Sequence, residues 1–214
     1  MKLNSLKARL LKRLFDLILG SLLLIFSLPI WLIAGTMIKF NSDGPIFFSR
    51  KDDGSPVLRV GRNGKNFHFW KFRSMYSKSD SLRFSKKLVA KNIRSGPFTK
   101  FENDPRITRV GKFLRKYSID ELPQLISVLC GHMSLVGPRP HLPEEIKKYP
   151  LHARKVLQIK PGLTGLPAIS GRSELSFAQE IKLDLHYLDN WSVWLDLKIL
   201  FKTIKVVLFP DHRE

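Results

Sequence analysis

LILGSLLLIFSLPIWLIAGTMI, Leu17 to Ile38, is 22 residues without a charge in a chain that otherwise carries 37 Lys and Arg against 18 Asp and Glu. Rising about 1.5 Å per residue, such a helix is long enough to cross a hydrocarbon core about 30 Å thick, so the run predicts a membrane-embedded helix. A cleaved signal peptide fits poorly, because the run is long, Pro29 interrupts it and no A-x-A-like site closes it. Pro29 lies near the middle with Ser27 just before it, a ready cause of a kink. Ahead of the run, Lys2, Lys7, Arg9, Lys12 and Arg13 are interleaved with Leu3, Leu6, Leu10 and Leu14, the pattern of a helix at a membrane surface. Both flanks are basic, which keeps both on the cytoplasmic side. With the proline, this predicts a re-entrant hairpin that enters and leaves by one face; a single pass with the body outside is the competing topology.

The 214 residues suffice for one domain with a sizeable core. A net charge of +19 points to anionic partners: nucleic acid, phosphorylated metabolites or an anionic membrane surface. Cys130 is the one cysteine, so there is no disulfide framework, and the six histidines show no metal-ligand spacing, which argues against a zinc centre. Val57–Val60 and Phe67–Phe72, flanking Arg62-Asn63-Gly64-Lys65, predict a β-hairpin whose second strand delivers KFRSM, Lys71 to Met75. Ser77 to Lys100 reads as a long loop. Asp104 to Tyr117 predicts a short amphipathic helix, apolar at Val110, Phe113, Leu114 and Tyr117. Trp191 to Phe209 predicts an interfacial helix with Lys198, Lys202 and Lys205 on one face and tryptophans at headgroup level.

In this cationic chain the adjacent carboxylates of SIDELPQL, Ser118 to Leu125, stand out. Ser118 with Glu121 forms a capping-box pattern, and acids in a first helical turn suit the macrodipole without any chemistry. Pro123 limits where the following helix begins, so Asp120 and Glu121 lie at its mouth. Lys71 and Arg73 read equally as solvated strand charges, and Arg139, in MSLVGPRP (Met133–Pro140), as part of a rigid turn. KPGLTG (Lys160–Gly165) and SGR (Ser170–Arg172) are weak phosphate motifs, with no Walker or dinucleotide fingerprint.

Taken in order, KRLFD (Lys12–Asp16), the apolar run with Pro29, KFRSM, DPRITRVGKFLRKYSIDELPQL (Asp104–Leu125), MSLVGPRP, KPGLTG and LDLHYLDNWSVWLDLKIL (Leu183–Leu200) resemble the bacterial sugar transferases, small monotopic polyprenyl-phosphate phosphoglycosyl transferases. The resemblance implies an α+β, mostly helical fold. A basic tail (1–11) would precede the transferase domain (12–209), with its membrane-embedded segment (17–38), its cytoplasmic body and a C-terminal tail (210–214). It implies transfer of a sugar 1-phosphate from a UDP-sugar to undecaprenyl phosphate at the cytoplasmic face of the bacterial inner membrane, with release of UMP. Asp120 would be the nucleophile and Glu121 would bind Mg2+. Lys71, Arg73, Arg115, Arg139, Arg172 and Asp184 would serve substrate and phosphate binding. Membrane lipid is an expected partner, nucleic acid is not, and a homodimer is admitted. The chain departs from the family pattern at Gly165–Gly171 and carries an inserted KDDGSP, Lys51 to Pro56. A cationic membrane-surface protein that binds polyanions without turnover is the rival reading, and paired carboxylates oppose it.

Overall fold

The computed structural model describes residues 5–94 and 96–210; Lys2, Leu3 and the tail from 211 onward lie outside the described residues. Helix α1 (Leu6–Asn41) takes the apolar run and its basic flank into one 36-residue element. It begins where the Ser5 hydroxyl accepts the Ala8 amide. It then runs on through Pro29, whose ring removes one amide donor and crowds the preceding turn. Ser27 occupies that turn, its hydroxyl donating to the Leu24 carbonyl at 2.8 Å and accepting the Trp31 indole at 3.1 Å. Instead of two arms joined by a turn, the segment is thus a single helix, about 54 Å long by the usual rise.

Beyond it come β1 (Phe47–Phe48), β2 (Leu58–Val60), β3 (Asn66–His68) and β4 (Lys71–Phe72). β2 and β3 form the expected hairpin, with Asn63 and Gly64 supplying the positive φ its turn needs. The second strand does not continue as one piece: β4 pairs with β1, because Phe72 is fully buried against Phe47 and Trp31. Ser77–Lys100 is not structureless, for it holds a 3-10 turn at Asp80–Phe84 and a short helix α2 (Lys86–Val89) capped by the Ser85 hydroxyl. Helix α3 (Arg109–Lys116) starts later than its apolar pattern suggests. Asp104 folds the chain back by accepting the Arg106 amide, Nε and Nη2, and Thr108 is the cap. Then follow α4 (Gln124–Leu129), β5 (Ser134–Val136), α5 (Pro143–Lys147), β6 (Gly162–Thr164), α6 (Leu166–Ile169), α7 (Phe177–Asp189) and α8 (Val193–Leu208). β5 and β6 pair in parallel. The described residues are mostly helical, with three two-stranded sheets.

The main core gathers Leu125, Val128, Met133, Leu135, Tyr187 and Trp191, and the first half of α1 packs on it through Phe15, Leu19 and Leu24. A second cluster joins Ala34 and Ile38, near the far end of α1, to Phe72 and Leu114. Polar ties match this. Near the start, Lys12 Nζ lies 2.7 Å from Asp196 Oδ2, and Asp196 also accepts Tyr187 OH at 2.7 Å and Trp191 Nε1 at 3.0 Å. Arg13 donates to the Val128 and Leu129 carbonyls at the end of α4, while Asp16 accepts the Ser134 hydroxyl and Leu135 amide. At the far end Asn41 Oδ1 accepts the Val110 amide at 3.2 Å.

Between these anchors Phe26, Leu28, Ile30, Leu32 and Ile33 face outward, and only 17% of the most apolar 18-residue window is buried. A helix of a soluble core would bury most of it; this one presents a bare apolar face. Helix α8 does the same on a smaller scale, with Asp196 and Ile199 inward and Trp194, Phe201, Ile204 and Leu208 outward beside exposed Lys198, Lys202 and Lys205. Trp191 is an exception to the expected headgroup tryptophans, since it is buried and committed to Asp196.

Candidate active site

Asp120 and Glu121 sit in a 3-10 turn, Ile119–Glu121, immediately ahead of α4. The capping box does not form. Ser118 is left-handed (φ 53°) and its hydroxyl caps nothing; its carbonyl accepts the Glu121 amide instead. A non-glycine residue held there carries strain of about 1–2 kcal/mol, which the packing of α3 against α4's approach must offset. The turn buries Asp120 and leaves Glu121 open to solvent on one side.

Two elements converge on the pair. Gly111 lets α3 touch the backbone beyond β4: a Cβ at that position would come within 2.7 Å of the Ser74 carbonyl carbon. The Ser74 carbonyl accepts the Thr108 amide at 3.1 Å, and Arg115 Nε donates to the Ser74 hydroxyl at 2.9 Å. This contact sets Arg115 beside Lys71, whose Nζ stands 4.0 Å from Asp120 Oδ2. At that separation the two are charge neighbours with no direct hydrogen bond.

Burial, then the Arg115 charge, push Lys71 down to about 8, against the pull of Asp120. Burial also lowers Arg115, with Asp120 opposing. The Glu121 carboxyl is raised above the usual range by surrounding protein mass and by the Asp120 charge, while Arg139, Lys71 and Arg172 act the other way. Arg139 is exposed on the turn after β5, and Arg172 is left-handed (φ 48°) with its carbonyl accepting Arg94 Nη1 at 3.4 Å. Arg94 in turn pairs with Glu180 at 2.7 Å, fixing that loop to α7.

The structure therefore brings together Lys71, Arg115, Arg139 and Arg172 around Asp120 and Glu121. Arg73 does not join them: Nε donates to the Pro45 carbonyl at 2.6 Å, and Nη1 and Nη2 to the Ser42 hydroxyl and carbonyl. Its work is to tie down the exit of α1. Asp184 is buried in α7 one turn from Glu180, and burial with the Glu180 charge pushes its carboxyl well above the usual range. It is not among the leading charges that act on Lys71 or Glu121.

Arg59 is the cation that sequence reasoning missed. It lies 4.5 Å over the Phe69 ring, and burial and the Arg139 charge push it down to about 10. It also acts on Lys71. Its one sequence signal was a charge inside an apolar strand.

For a magnesium ion the protein offers two adjacent carboxylates, and no group of three His, Cys, Asp or Glu gathers among the described residues. One or two carboxylates completed by substrate phosphates and water is how this ion is commonly held. A divalent cation would relieve the Asp120 repulsion that adds to burial in raising Glu121, so the residues fit.

Residues 7–210 match the family model described as bacterial sugar transferase. The chain is 50% identical over 163 residues to galactosyl transferase CpsE of Streptococcus agalactiae, covering 74% of this chain and 36% of that one. It is 41% identical over 198 residues to exopolysaccharide production protein ExoY of Sinorhizobium fredii, covering 92% and 84%. Against the UDP-glucose:undecaprenyl-phosphate glucose-1-phosphate transferase of Klebsiella pneumoniae it is 40% identical over 205 residues, covering 90% and 39%. The chain thus spans less than half the length of two of these relatives and most of the third.

Proposed function

The chain belongs to the bacterial sugar transferase family, which its match over residues 7–210 shows, and from that premise we propose that it moves a sugar 1-phosphate from a UDP-sugar to undecaprenyl phosphate. The observation that carries this reading is the setting of Asp120. A buried carboxylate has Lys71 Nζ 4.0 Å from it and faces the Arg115 charge, while Arg139 and Arg172 act on its neighbour Glu121 and Arg59 acts on Lys71. That is a nucleophile facing a seat for a diphosphate.

In the first half-reaction an Asp120 oxygen bonds to the phosphorus that bears the sugar, and the bond from that phosphorus to the bridging oxygen breaks. The electron pair leaves on the bridging oxygen as UMP, and an acyl phosphate remains on Asp120. In the second half-reaction an oxygen of the polyprenyl phosphate attacks the same phosphorus and expels the carboxylate, giving a lipid diphosphate sugar. Lys71 and Arg115 offset the charge on the equatorial oxygens. Glu121 would hold Mg2+, which when bound adds further charge neutralisation at the diphosphate.

Both ends of α1 rest on the same body, while one face of its middle is bare and apolar. A helix crossing the bilayer would put its ends on opposite sides, so this supports α1 entering and leaving by the cytoplasmic face, with α8 at the interface. The relatives include a galactosyl transferase and a glucose-1-phosphate transferase, so the sugar stays open.

The test is purified protein in a lipid nanodisc with UDP-sugar labelled in the sugar. Without acceptor, one equivalent of UMP should appear and label should stay on the protein; Asp120→Asn should abolish both. UMP release by the asparagine variant at the wild-type rate would overturn the mechanism.

A further inference from the structure

Away from Asp120, where α1 begins, a cavity of about 140 Å3 opens, lined by Arg9, Lys12, Arg13, Arg62 and Lys160 with Asp16. That is about ten times the space one water needs. The cations are gathered closely: a Cβ at Gly131 would meet both the Arg13 guanidinium carbon and Lys160 Nζ at 3.5 Å.

The charges of Arg13, Arg62 and Lys160 are poorly answered. Lys12 has Asp196. Arg13 spends its two terminal nitrogens on neutral carbonyls, which satisfy hydrogen bonds without offsetting charge. Arg62 Nε is buried and makes no hydrogen bond among the described residues. Lys160 is lowered first by burial and then by the Arg13 charge, with Asp16 opposing. None of these cations is among the leading charges that act on Lys71 or Glu121, so the cluster is separate from the candidate active site. Like charges converging on a roomy cavity, one with an orphaned guanidinium nitrogen, match an oxyanion with several acceptor oxygens.

We propose that this cavity is a second anion site, which takes a phosphate group through Arg62, Lys160 and Arg13. Leu10, exposed at its rim, and the run of α1 into its apolar middle place the site at the level of the bilayer surface. The phosphate is then either that of an anionic phospholipid headgroup or a free one. This site does not depend on the catalytic reading.

The experiment uses full-length protein in phosphatidylcholine nanodiscs in phosphate-free buffer. The midpoint of thermal unfolding is followed while inorganic phosphate is added, and separately while phosphatidylglycerol replaces part of the lipid. At least one anion should raise the midpoint saturably, and phosphatidylglycerol alone acting assigns the lipid source, inorganic phosphate the free one. The double variant Arg62→Gln/Lys160→Gln should bind the active anion at least about tenfold more weakly, the loss of a charge-assisted hydrogen bond. Without added anion that variant should be no less stable than wild type, because repulsion has been relieved. Lys87→Gln/Lys91→Gln, on the exposed surface of the loop region, should respond as wild type. No response to either anion, an undiminished response in the double variant, or a double variant already destabilised without anion overturns the site.

Discussion

Replacing Gly111 with alanine would set a methyl carbon 2.7 Å from the Ser74 carbonyl carbon and 2.9 Å from its Cα, with the carbonyl oxygen nearer still. These are backbone atoms, so no rotamer change relieves the overlap; α3 or the strand exit must retreat by more than an ångström. Overpacking of this kind costs about 1–3 kcal/mol. Retreat also weakens the Thr108 amide bond to the Ser74 carbonyl, about 1 kcal/mol more. A total near 3 kcal/mol lowers the unfolding midpoint by roughly 6–12 °C for a chain of this size. Displacement of Arg115 from Lys71 and Asp120 should reduce UMP release about 100-fold, as ångström misplacements do. The comparison is Gly54→Ala, where nothing lies within 4 Å but φ is +80°: backbone strain there costs about 1–2 kcal/mol and leaves turnover intact. A Gly111→Ala protein with wild-type midpoint and turnover would refute the argument that this contact sets Arg115 beside Lys71.

Other expectations bear on charge. Lys71 is cationic below about 8 and loses its proton as pH rises through that value, so turnover should fall on the alkaline side; Lys71→Arg should remove that limb, and its persistence would assign the limb elsewhere. Because Glu121 is raised, its carboxylate should protonate above the usual range as pH falls, shifting the acid limb upward. Glu121→Gln should raise the Mg2+ concentration for half-maximal UMP release about tenfold or more, and unchanged metal dependence would remove Glu121 from that role. Lys12→Met leaves Asp196 buried with only the Tyr187 and Trp191 donors, at a cost of about 3 kcal/mol, and Lys12→Met/Asp196→Asn should recover part of it. Thermal melts of the two variants decide this.

The sequence made legible what depends on short spacing: the apolar run, the Asn63-Gly64 turn, the paired carboxylates ahead of α4, and cations held in rigid turns. It failed where a side chain's partner is distant. Lys71 and Arg73 share a strand face by alternation, which made them look equivalent; the strand ends at Phe72, and Arg73 turns to the exit of α1. Arg59 is drawn to the site by hairpin packing against Phe69. Asp184 lies on the inward face of α7 with Glu180, and nothing in its spacing showed which neighbours α7 would meet. Ser118 matched a cap by pattern, yet the tight turn into α4 required a left-handed residue there.

The Lys12–Asp196 pair joins positions 184 residues apart. At about 5–20 residues per second, ribosomal synthesis places roughly 10–40 s between them. Throughout that interval Lys12 lacks its carboxylate partner, and only the arrival of α8 closes the joint. With the topology proposed above, chains broken off before Asp196 should still reach the membrane, yet leave the joint between α1 and α8 open.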